Sequence, residues 1–486
     1  MSKLSELLPA GGSAKEFEVV ASGTLASGQA VILKSDGTIA AVAQINVSQS
    51  LGSSATFESG TAAWTSCTFD SNSNKVVMAY QDDTNSDYGT AVVGTVSGTS
   101  ITFGTPVVFA SAATLQIGTA FDSSSNTVVI SYQDVGNGSK GTAIVGTVNG
   151  TSISFGSEVV FNSNNYTEQI SITFDSNANK VVIVDSYGKA SVGTVSGTSI
   201  SFGTGGSFNG GVSYNVVGVT SCTFDSSSNK VVVVYMDIGN SYYATAVVGT
   251  ISGTAISFGA ERVYHSANHG YPAATFDSNS NKVVVAFRGG SNNKGSAVVG
   301  TVSGTSISFG TVVNFDSDRA DYISATFDSD NNKIVISYQD YGNSYYGTLI
   351  VGTVSGTNIS FGTPVIFNSG DTRHISNTFD SNSNVIVTSY QRYTGNPQIG
   401  KGIVFKNAYT STNNTDFAGL VTDSISSGAT GVIIPQGGVS TNQTSLTIGS
   451  DYYVQANGTL STASTSPAVQ VGKAISATSL ILKGNS

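Results

Sequence analysis

The residues with the clearest chemical potential are seven aspartates that recur at intervals of 50 to 53 residues. Each follows a Phe and opens a Ser/Asn-rich turn, as in Asp70-Ser-Asn-Ser-Asn. Carboxylate oxygens suit Ca²⁺, but each turn offers only one or two carboxylates, and an Asp side chain can cap its own turn. We therefore predict structural caps and no metal site. The seven are Asp70, Asp122, Asp175, Asp225, Asp277, Asp328 and Asp380.

A second set of residues lies six positions before each of these aspartates. Its members are Trp64, Gln116, Gln169, Val219, Tyr271, Tyr322 and His374. Aromatic, Arg and acidic side chains on variable loops form recognition surfaces, and flat aromatic faces beside Asp, Asn and Arg suit glycans. The alternative is that these side chains only plug a channel and brace the loops. The candidate ligand-binding residues are Trp64, His269, Tyr271, Arg319, Asp321, Tyr322, Arg373 and His374.

The spacing of the aspartates also predicts the architecture. Seven copies of an all-β unit of about 52 residues match the blades of a β-propeller. The sequence therefore predicts an all-β fold: a seven-bladed β-propeller of four-stranded blades. In the sixth copy we expect strands over 323–327, 333–339, 347–354 and 358–367. A linear β-solenoid is the alternative, but it explains neither the count of seven nor the split blade described next.

The two ends of the repeat array predict closure of the ring. The last copy stops after its third strand, and the missing strand lies before the first copy, where Leu51-Gly-Ser-Ser-Ala-Thr-Phe57 aligns with Phe361-Gly-Thr-Pro-Val-Ile-Phe367. The N-terminal strand would thus close blade 7 and remove an exposed sheet edge. Four residues before each aspartate stands a small residue, as expected of strands that crowd an axis: Ser66, Gly118, Ser171, Ser221, Ala273, Ser324 and Ser376.

Two segments fall outside the repeats and carry hairpin signals, Asp36-Gly37 and Asn457-Gly458. We expect them to form one small composite β module from both termini. The predicted domains are 1–44, the N-terminal half of this base module; 45–407, the propeller; and 408–486, the C-terminal half.

Enzyme chemistry finds little support in the sequence. A glycosidase needs two carboxylates flanking the bond, and the sequence does not pair any of Asp82, Glu168, Glu261 or Asp321. Sialidases are propellers with Asp-containing turns, but their turn motif needs a Gly and a Trp absent from this repeat, and their arginine trio is hard to supply from five Arg. No Ser-His-Asp or phosphate-binding motif occurs. We predict no catalytic residue and no cofactor.

The composition argues against two classes of binding partner. Only 10% of residues are charged and the formal net charge is −10, which argues against nucleic acid and anionic membranes. No apolar run approaches the roughly 20 residues of a membrane-spanning helix, and residues 1–16 lack the apolar region of a secretory signal. Cys67 and Cys222 occupy equivalent positions far apart in the ring, so we expect two buried thiols.

The terminal segments carry a resemblance. The stretches 444–462 (TSLTIGSDYYVQANGTLST), 471–483 (VGKAISATSLILK) and 21–38 (ASGTLASGQAVILKSDGT) resemble terminal modules of tailed-bacteriophage tail-fibre and other virion structural proteins, marine phages included. The resemblance implies a component of a virus particle and brings no catalytic residues with it. We expect several copies or a homo-oligomer, made in the host cytoplasm, that contacts other virion proteins through the base module. From the aromatic and charged loop residues we expect the propeller to attach to a host-surface glycan. A purely structural capsid or tail decoration protein and a cellular glycan-binding protein are the alternatives.

Overall fold

The computed structural model describes residues 16–209, 217–290, 293–393, 395–412, 417–455, 458–464 and 469–483. In these ranges the chain forms strands and turns, three short 3₁₀ segments and no α-helix, so the predicted all-β class is confirmed. No helix among the described residues is long and apolar enough to cross a membrane. The 3₁₀ segments are Asp83–Asn85, Val135–Asn137 and Ile238–Asn240.

The chain divides into two compact domains. Residues 50–407 form the repeat domain, and residues 1–49 together with 408–486 form the terminal domain. We number the repeats 1 to 7 by their aspartates, from Asp70 to Asp380.

Each repeat is an antiparallel sheet whose first strand ends at its aspartate, so the repeat aspartates close strands rather than lie within loops. The first strands are Ala55–Asp70, Val107–Asp122, Ser171–Asp175, Val217–Asp225, Arg262–Asp277, Val313–Asp328 and Val365–Asp380. The second strands are Lys75–Asp82, Thr127–Asp134, Lys180–Val184, Lys230–Asp237, Lys282–Gly289, Lys333–Asp340 and Val385–Arg392.

The third strands are Tyr88–Ser97, Lys140–Asn149, Lys189–Ser196, Tyr243–Ser252, Lys294–Ser303, Tyr346–Ser355 and Ile399–Lys406. The short fourth strands of repeats 1 to 6 are Ser100–Phe103, Ser152–Phe155, Ser199–Phe202, Ala255–Phe258, Ser306–Phe309 and Asn358–Phe361. The pieces Val159–Asn162 and Gly206–Ser207 extend the outer edges of repeats 2 and 3.

The fourth strand differs from the prediction. The segment expected as one strand over 358–367 breaks at Gly362, and the chain resumes at Val365 as one 16-residue strand that ends at Asp380. The first half of this long strand pairs with repeat 6 and the second half with repeat 7. The connections expected here as variable loops are therefore continuous extended backbone in five repeats.

The hydrophobic cores lie between neighbouring repeats. Val77 and Ala79 of repeat 1, for example, pack with Ile130 and Tyr132 of repeat 2. Full burial of such a side chain stabilises the fold by about 1.5–3 kcal/mol, so each repeat depends on its neighbours. An aromatic pair recurs in these cores: Phe57 with Tyr80 has a ring-centroid distance of 5.0 Å, and Phe315 with Tyr338 one of 5.1 Å.

The first and last repeats are joined by strand pairing. Ile399–Lys406, the third strand of repeat 7, pairs with Ser50–Leu51 and with the start of Ala55–Asp70. Cys67 of repeat 1 donates its backbone N–H to the Ser376 hydroxyl of repeat 7 at 3.1 Å. The first strand segments of the repeat domain, Ser50–Leu51 and the start of Ala55–Asp70, therefore supply the outer strand of the seventh repeat.

The terminal domain contains strands from both ends of the chain. One sheet has the order Phe17–Val20, Thr430–Pro435, Phe417–Val421, Ala30–Leu33 and Ile39–Ala41. The last pair forms the hairpin expected at Asp36-Gly37, with Gly37 at φ +82°.

The remaining strands of the terminal domain form a pair and a second sheet. Gln44–Val47 pairs with Tyr409–Thr412. The second sheet has the order Val439–Ser440, Leu480–Leu482, Gln470–Ala474, Asp451–Val454 and Leu460–Ser461. Asn457 of the second predicted hairpin lies outside the described residues.

Candidate functional site

The position six residues before each repeat aspartate has an unusual backbone. The pairing of the first two strands slips there in six repeats, for example between Ala63 and Ser66, which marks a β-bulge. The residue at this position has a left-handed backbone in all repeats except the fourth, including the third, where no bulge occurs, with φ between +48° and +55°. The left-handed residues are Trp64, Gln116, Gln169, Tyr271, Tyr322 and His374.

Left-handed backbone is costly for residues other than Gly, at about 1–2 kcal/mol each. Repeat 4, where φ is not positive, has Val219 at this position. A β-branched side chain is especially disfavoured in that region, so the exception follows residue chemistry. Strain held at one position in six repeats points to a role for the side chains that it orients.

All seven of these side chains line one cavity of about 860 Å³. The repeat domain therefore presents one concave site to which every repeat contributes. The side chains that line it from other positions include Met236, Tyr242, Asn268, His269 and Arg288.

Four aromatic rings form a continuous row along one side of the cavity. The ring centroids are 4.8 Å apart for Trp64 and His374, 5.2 Å for His374 and Tyr322, and 5.1 Å for Tyr322 and Tyr271. We call these four residues the aromatic arc. They belong to repeats 5, 6, 7 and 1, and the equivalent residues of repeats 2 and 3 are the amides Gln116 and Gln169. The cavity is thus apolar on one side and amide-lined on the other.

A cluster of charged groups lies at the aromatic arc. Arg288 stacks over the Tyr271 ring at 5.0 Å and donates from Nη1 to Asp321 Oδ1 at 2.5 Å. Arg319 donates to the other oxygen of Asp321, at 2.8 Å from Nε. Asp321 is almost fully buried, so two guanidinium groups share one desolvated carboxylate.

Arg373 forms a separate pair. Its Nη2 donates to Asp371 Oδ2 at 3.0 Å, and its guanidinium lies 3.3 Å from the centroid of the Tyr393 ring. Arg373 does not line the cavity itself. Arg373 precedes His374 in the chain, and its positive charge disfavours protonation of that histidine.

The two histidines of the cavity wall are held neutral. Burial, aided by the positive charge of Arg373, lowers the pKa of His374 to about 4. Burial also lowers the pKa of His269 to about 3. The His269 ring contacts the Tyr264 hydroxyl through Nε2 at 3.3 Å. At neutral pH both rings therefore act as uncharged, partly apolar surface.

A narrower cavity of about 320 Å³ lies between the same first strands, and the seven small residues predicted for the axis all line it. Its lining is rich in hydroxyl groups, and neighbouring strands are linked there by bonds such as Ala274 N–H to Ser221 Oγ at 3.0 Å. Cys67 and Cys222 are free, buried thiols here, as expected. Burial raises the pKa of Cys222 to about 12, so this thiol stays protonated at neutral pH.

The repeat aspartates are confirmed as structural caps. Asp70 Oδ1 accepts the backbone N–H groups of Asn72 and Ser73 at 2.9 and 3.0 Å, and every repeat shows an equivalent bond. No group of three metal-ligating side chains occurs among the residues that the structure describes.

The structure brings most of the predicted site residues together. Trp64, Tyr271, Tyr322 and His374 form the aromatic arc and His269 is part of the cavity wall, whereas Arg319, Asp321 and Arg373 lie outside the lining. Arg288, which also lines the cavity, was not among the candidate binding residues. A sequence signal for it is its position eleven residues after Asp277, where four other repeats have Gln.

Comparison with known proteins gives structural similarities only. No family model and no curated protein matches the chain. A protein of unknown function from Dyadobacter fermentans DSM 18053 matches 75% of this chain and 99% of its own at 11% identity, with a TM-score of 0.46. A chain of a mitotic checkpoint complex matches 74% of this chain and 96% of its own at 10% identity, with a TM-score of 0.48.

Proposed function

We propose that the repeat domain is a seven-bladed β-propeller. The support comes from seven consecutive antiparallel sheets, from first strands that all line the same two cavities, and from the pairing of the third strand of repeat 7 with the N-terminal strand. A solenoid would leave the two end repeats unpaired. Closure would remove the sheet edges that otherwise invite aggregation.

We further propose that the protein is a non-enzymatic structural subunit of a tailed-bacteriophage particle whose propeller binds a host-surface glycan. The observation that carries the binding role is the aromatic arc. Its four rings are half-buried, lie on strained backbone and follow one another at 4.8 to 5.2 Å along one wall of the cavity.

The chemistry of the cavity suits a sugar chain. The C–H face of a pyranose packs against aromatic rings, and its hydroxyl groups need donors and acceptors, which Gln116, Gln169 and Asn268 offer. A volume of about 860 Å³ is within the range of small-molecule sites. The lining contributed by the described residues includes no carboxylate, and glycoside hydrolysis needs two. These features favour binding over cleavage.

The assignment to a virion depends on the terminal domain. The described parts of the sequence stretches that resemble phage particle proteins contribute strands to the two small sheets of this domain. The domain exposes large apolar side chains, with Ile448 68% and Ile475 49% exposed. Exposed apolar groups of this kind favour contacts with other proteins. We propose that this domain contacts other virion subunits and that several copies are present.

The glycan-binding role is tested by binding of the fluorescently labelled protein to intact bacterial cells from candidate hosts. The Trp64→Ala/Tyr322→Ala variant should lose at least tenfold in affinity, because both stacking surfaces are removed. Tyr166→Ala is the matched control, since Tyr166 is 62% exposed and does not line the cavity. Binding that survives the double variant, or that no host shows, would contradict the attachment role and favour a purely structural decoration protein.

A further inference from the structure

The cavity wall carries one charge at neutral pH. Among the described residues that line the cavity, Arg288 alone is charged, because burial keeps His269 and His374 neutral. The Arg288 side chain is 22% exposed, so it is partly withdrawn from water yet open to the cavity.

The positive charge of Arg288 is only partly compensated. Its carboxylate partner Asp321 uses one oxygen for Arg288 and the other for Arg319. Two guanidinium groups therefore share one carboxylate, which leaves a surplus of one positive charge. The neighbouring pair of Arg373 and Asp371 adds no net charge. This surplus stands out in a chain with a formal net charge of −10.

The hydrogen bonds of Arg288 within the protein use only part of its guanidinium. Nη1 donates to Asp321, whereas the buried Nε has no acceptor among the described residues. The group rests against the backbone at Gly270, where an added Cβ would lie 2.7 Å from Nη2. A glycine at position 270 thus leaves room for the guanidinium over the Tyr271 ring, where Arg288 lines the cavity.

We infer that the glycan bound in this cavity is acidic, with the carboxylate or sulfate of one sugar residue accepted by Arg288 while the ring packs on the aromatic arc. This inference rests on the proposed glycan-binding function and specifies its ligand class. An anion would supply the missing countercharge, and a guanidinium binds carboxylate and sulfate oxygens through paired donors. A neutral sugar would leave the surplus charge partly desolvated and uncompensated, which is costly.

The test is calorimetric titration with acidic oligosaccharides and their neutral counterparts: oligouronates against their methyl esters, and sulfated against desulfated oligosaccharides. The acidic member of at least one pair should bind tenfold or more tightly, with a preference that weakens as salt rises. The two kinds of pair distinguish a carboxylate ligand from a sulfate ligand.

Variants distinguish the contribution of the Arg288 charge to binding from that of the aromatic stacking surface. Arg288→Met should reduce the acidic-to-neutral affinity ratio to within about twofold of one while neutral binding persists. Gly270→Ala should lower the ratio as well, because its Cβ displaces the guanidinium. Arg262→Met is the matched control: it removes the same charge from an exposed arginine outside the cavity, and the ratio should not change.

The outcomes distinguish this inference from the proposed function. Equal binding of acidic and neutral ligands that Trp64→Ala abolishes would overturn the acidic specificity and leave the glycan-binding function intact. A ratio that Arg288→Met does not change would also overturn it. Absence of binding to every acidic and neutral ligand would contradict both proposals.

Discussion

At the scale of single residues, the bulge position shows how one backbone conformation can serve different side chains. The same left-handed conformation presents an indole at Trp64, an amide at Gln116 and an imidazole at His374. The bulge interrupts strand pairing and turns the residue away from the sheet. Because the conformation recurs while the side chain changes, the repeats supply a fixed frame for a variable surface.

The first residue-scale prediction concerns His374. Its pKa is lowered from 6.5 to about 4 in the folded protein, so the unfolded chain binds a proton more readily. The neutral ring therefore contributes stability above pH 6.5, and this contribution is lost as the pH falls towards 4. We expect His374→Gln to lose less stability than the wild type between pH 7 and pH 4.5, by on the order of 1–2 kcal/mol. Denaturant melts at both pH values measure this, and equal losses would contradict it.

Asp185 gives the opposite pH dependence. It replaces the buried Tyr or Phe of the other repeats, accepts a hydrogen bond from Asn162 Nδ2 at 2.7 Å, and has a pKa raised by burial from 3.8 to about 6. A raised carboxyl pKa gives stability that is complete below pH 3.8 and is lost as the pH rises through about 6. Asp185→Asn should therefore stabilise the protein at pH 7 by about 1 kcal/mol or more, and this advantage should vanish near pH 4. A difference that is constant with pH in thermal melts would refute the prediction.

At the scale of the strands, a glycine follows each short fourth strand and meets the next repeat. A Cβ at Gly104 would overlap the backbone carbonyl of Thr151 in the c–d turn of repeat 2, that is, the turn between its third and fourth strands. Equivalent overlaps occur from Gly52 to Gly310 along the chain. Repeat 7 has no such turn, because its third strand does not continue into a fourth, and a Cβ at Gly362 finds its nearest atom at 3.8 Å.

This difference predicts opposite outcomes for the same substitution. Gly104→Ala should destabilise the protein by about 1–3 kcal/mol, since a backbone carbonyl must move. Gly362→Ala should be neutral or slightly stabilising, because it restricts the unfolded chain and meets only ordinary contacts. Neither glycine has the positive φ that would strain alanine. Equal effects of the two substitutions on the midpoint of thermal unfolding would contradict this account of the repeat interface.

The same strands show what the sequence could and could not predict. The aspartate caps, the small residues that line the 320 Å³ cavity and the pairing of Ala55–Asp70 with repeat 7 follow from local patterns repeated seven times. The break at Gly362 and the bulge at Trp64 depend on non-local strand pairing, which periodicity does not encode. The Arg288–Asp321 pair joins residues of two repeats, so no spacing within one repeat could reveal it.

At the scale of the whole molecule, the first and last repeats meet at a seam, where Ala55–Asp70 pairs with Ile399–Lys406. Phe57 is 6% exposed and packs in a core that draws on Tyr80 and Phe103 of repeat 1 and Val404 of repeat 7. The equivalent Phe315 packs with Tyr338 and Phe361 inside the array. The two rings have similar contacts, but of the two only Phe57 lies where the first and last repeats pair.

Phe57→Ala and Phe315→Ala should therefore lower the free energy of unfolding by similar amounts. They should differ in which segment of the chain becomes accessible to a protease. Each should cost about 3–5 kcal/mol, the range for a buried aromatic truncated to alanine. Only Phe57→Ala should release the start of the strand Ala55–Asp70 from repeat 7. No complete repeat precedes this segment in the chain to keep it in place. Limited proteolysis should then cleave Phe57→Ala between residues 50 and 60 under native conditions, while Phe315→Ala is cleaved there no faster than the wild type. Equal cleavage of the two variants would mean that the seam is not the weak point of the repeat domain.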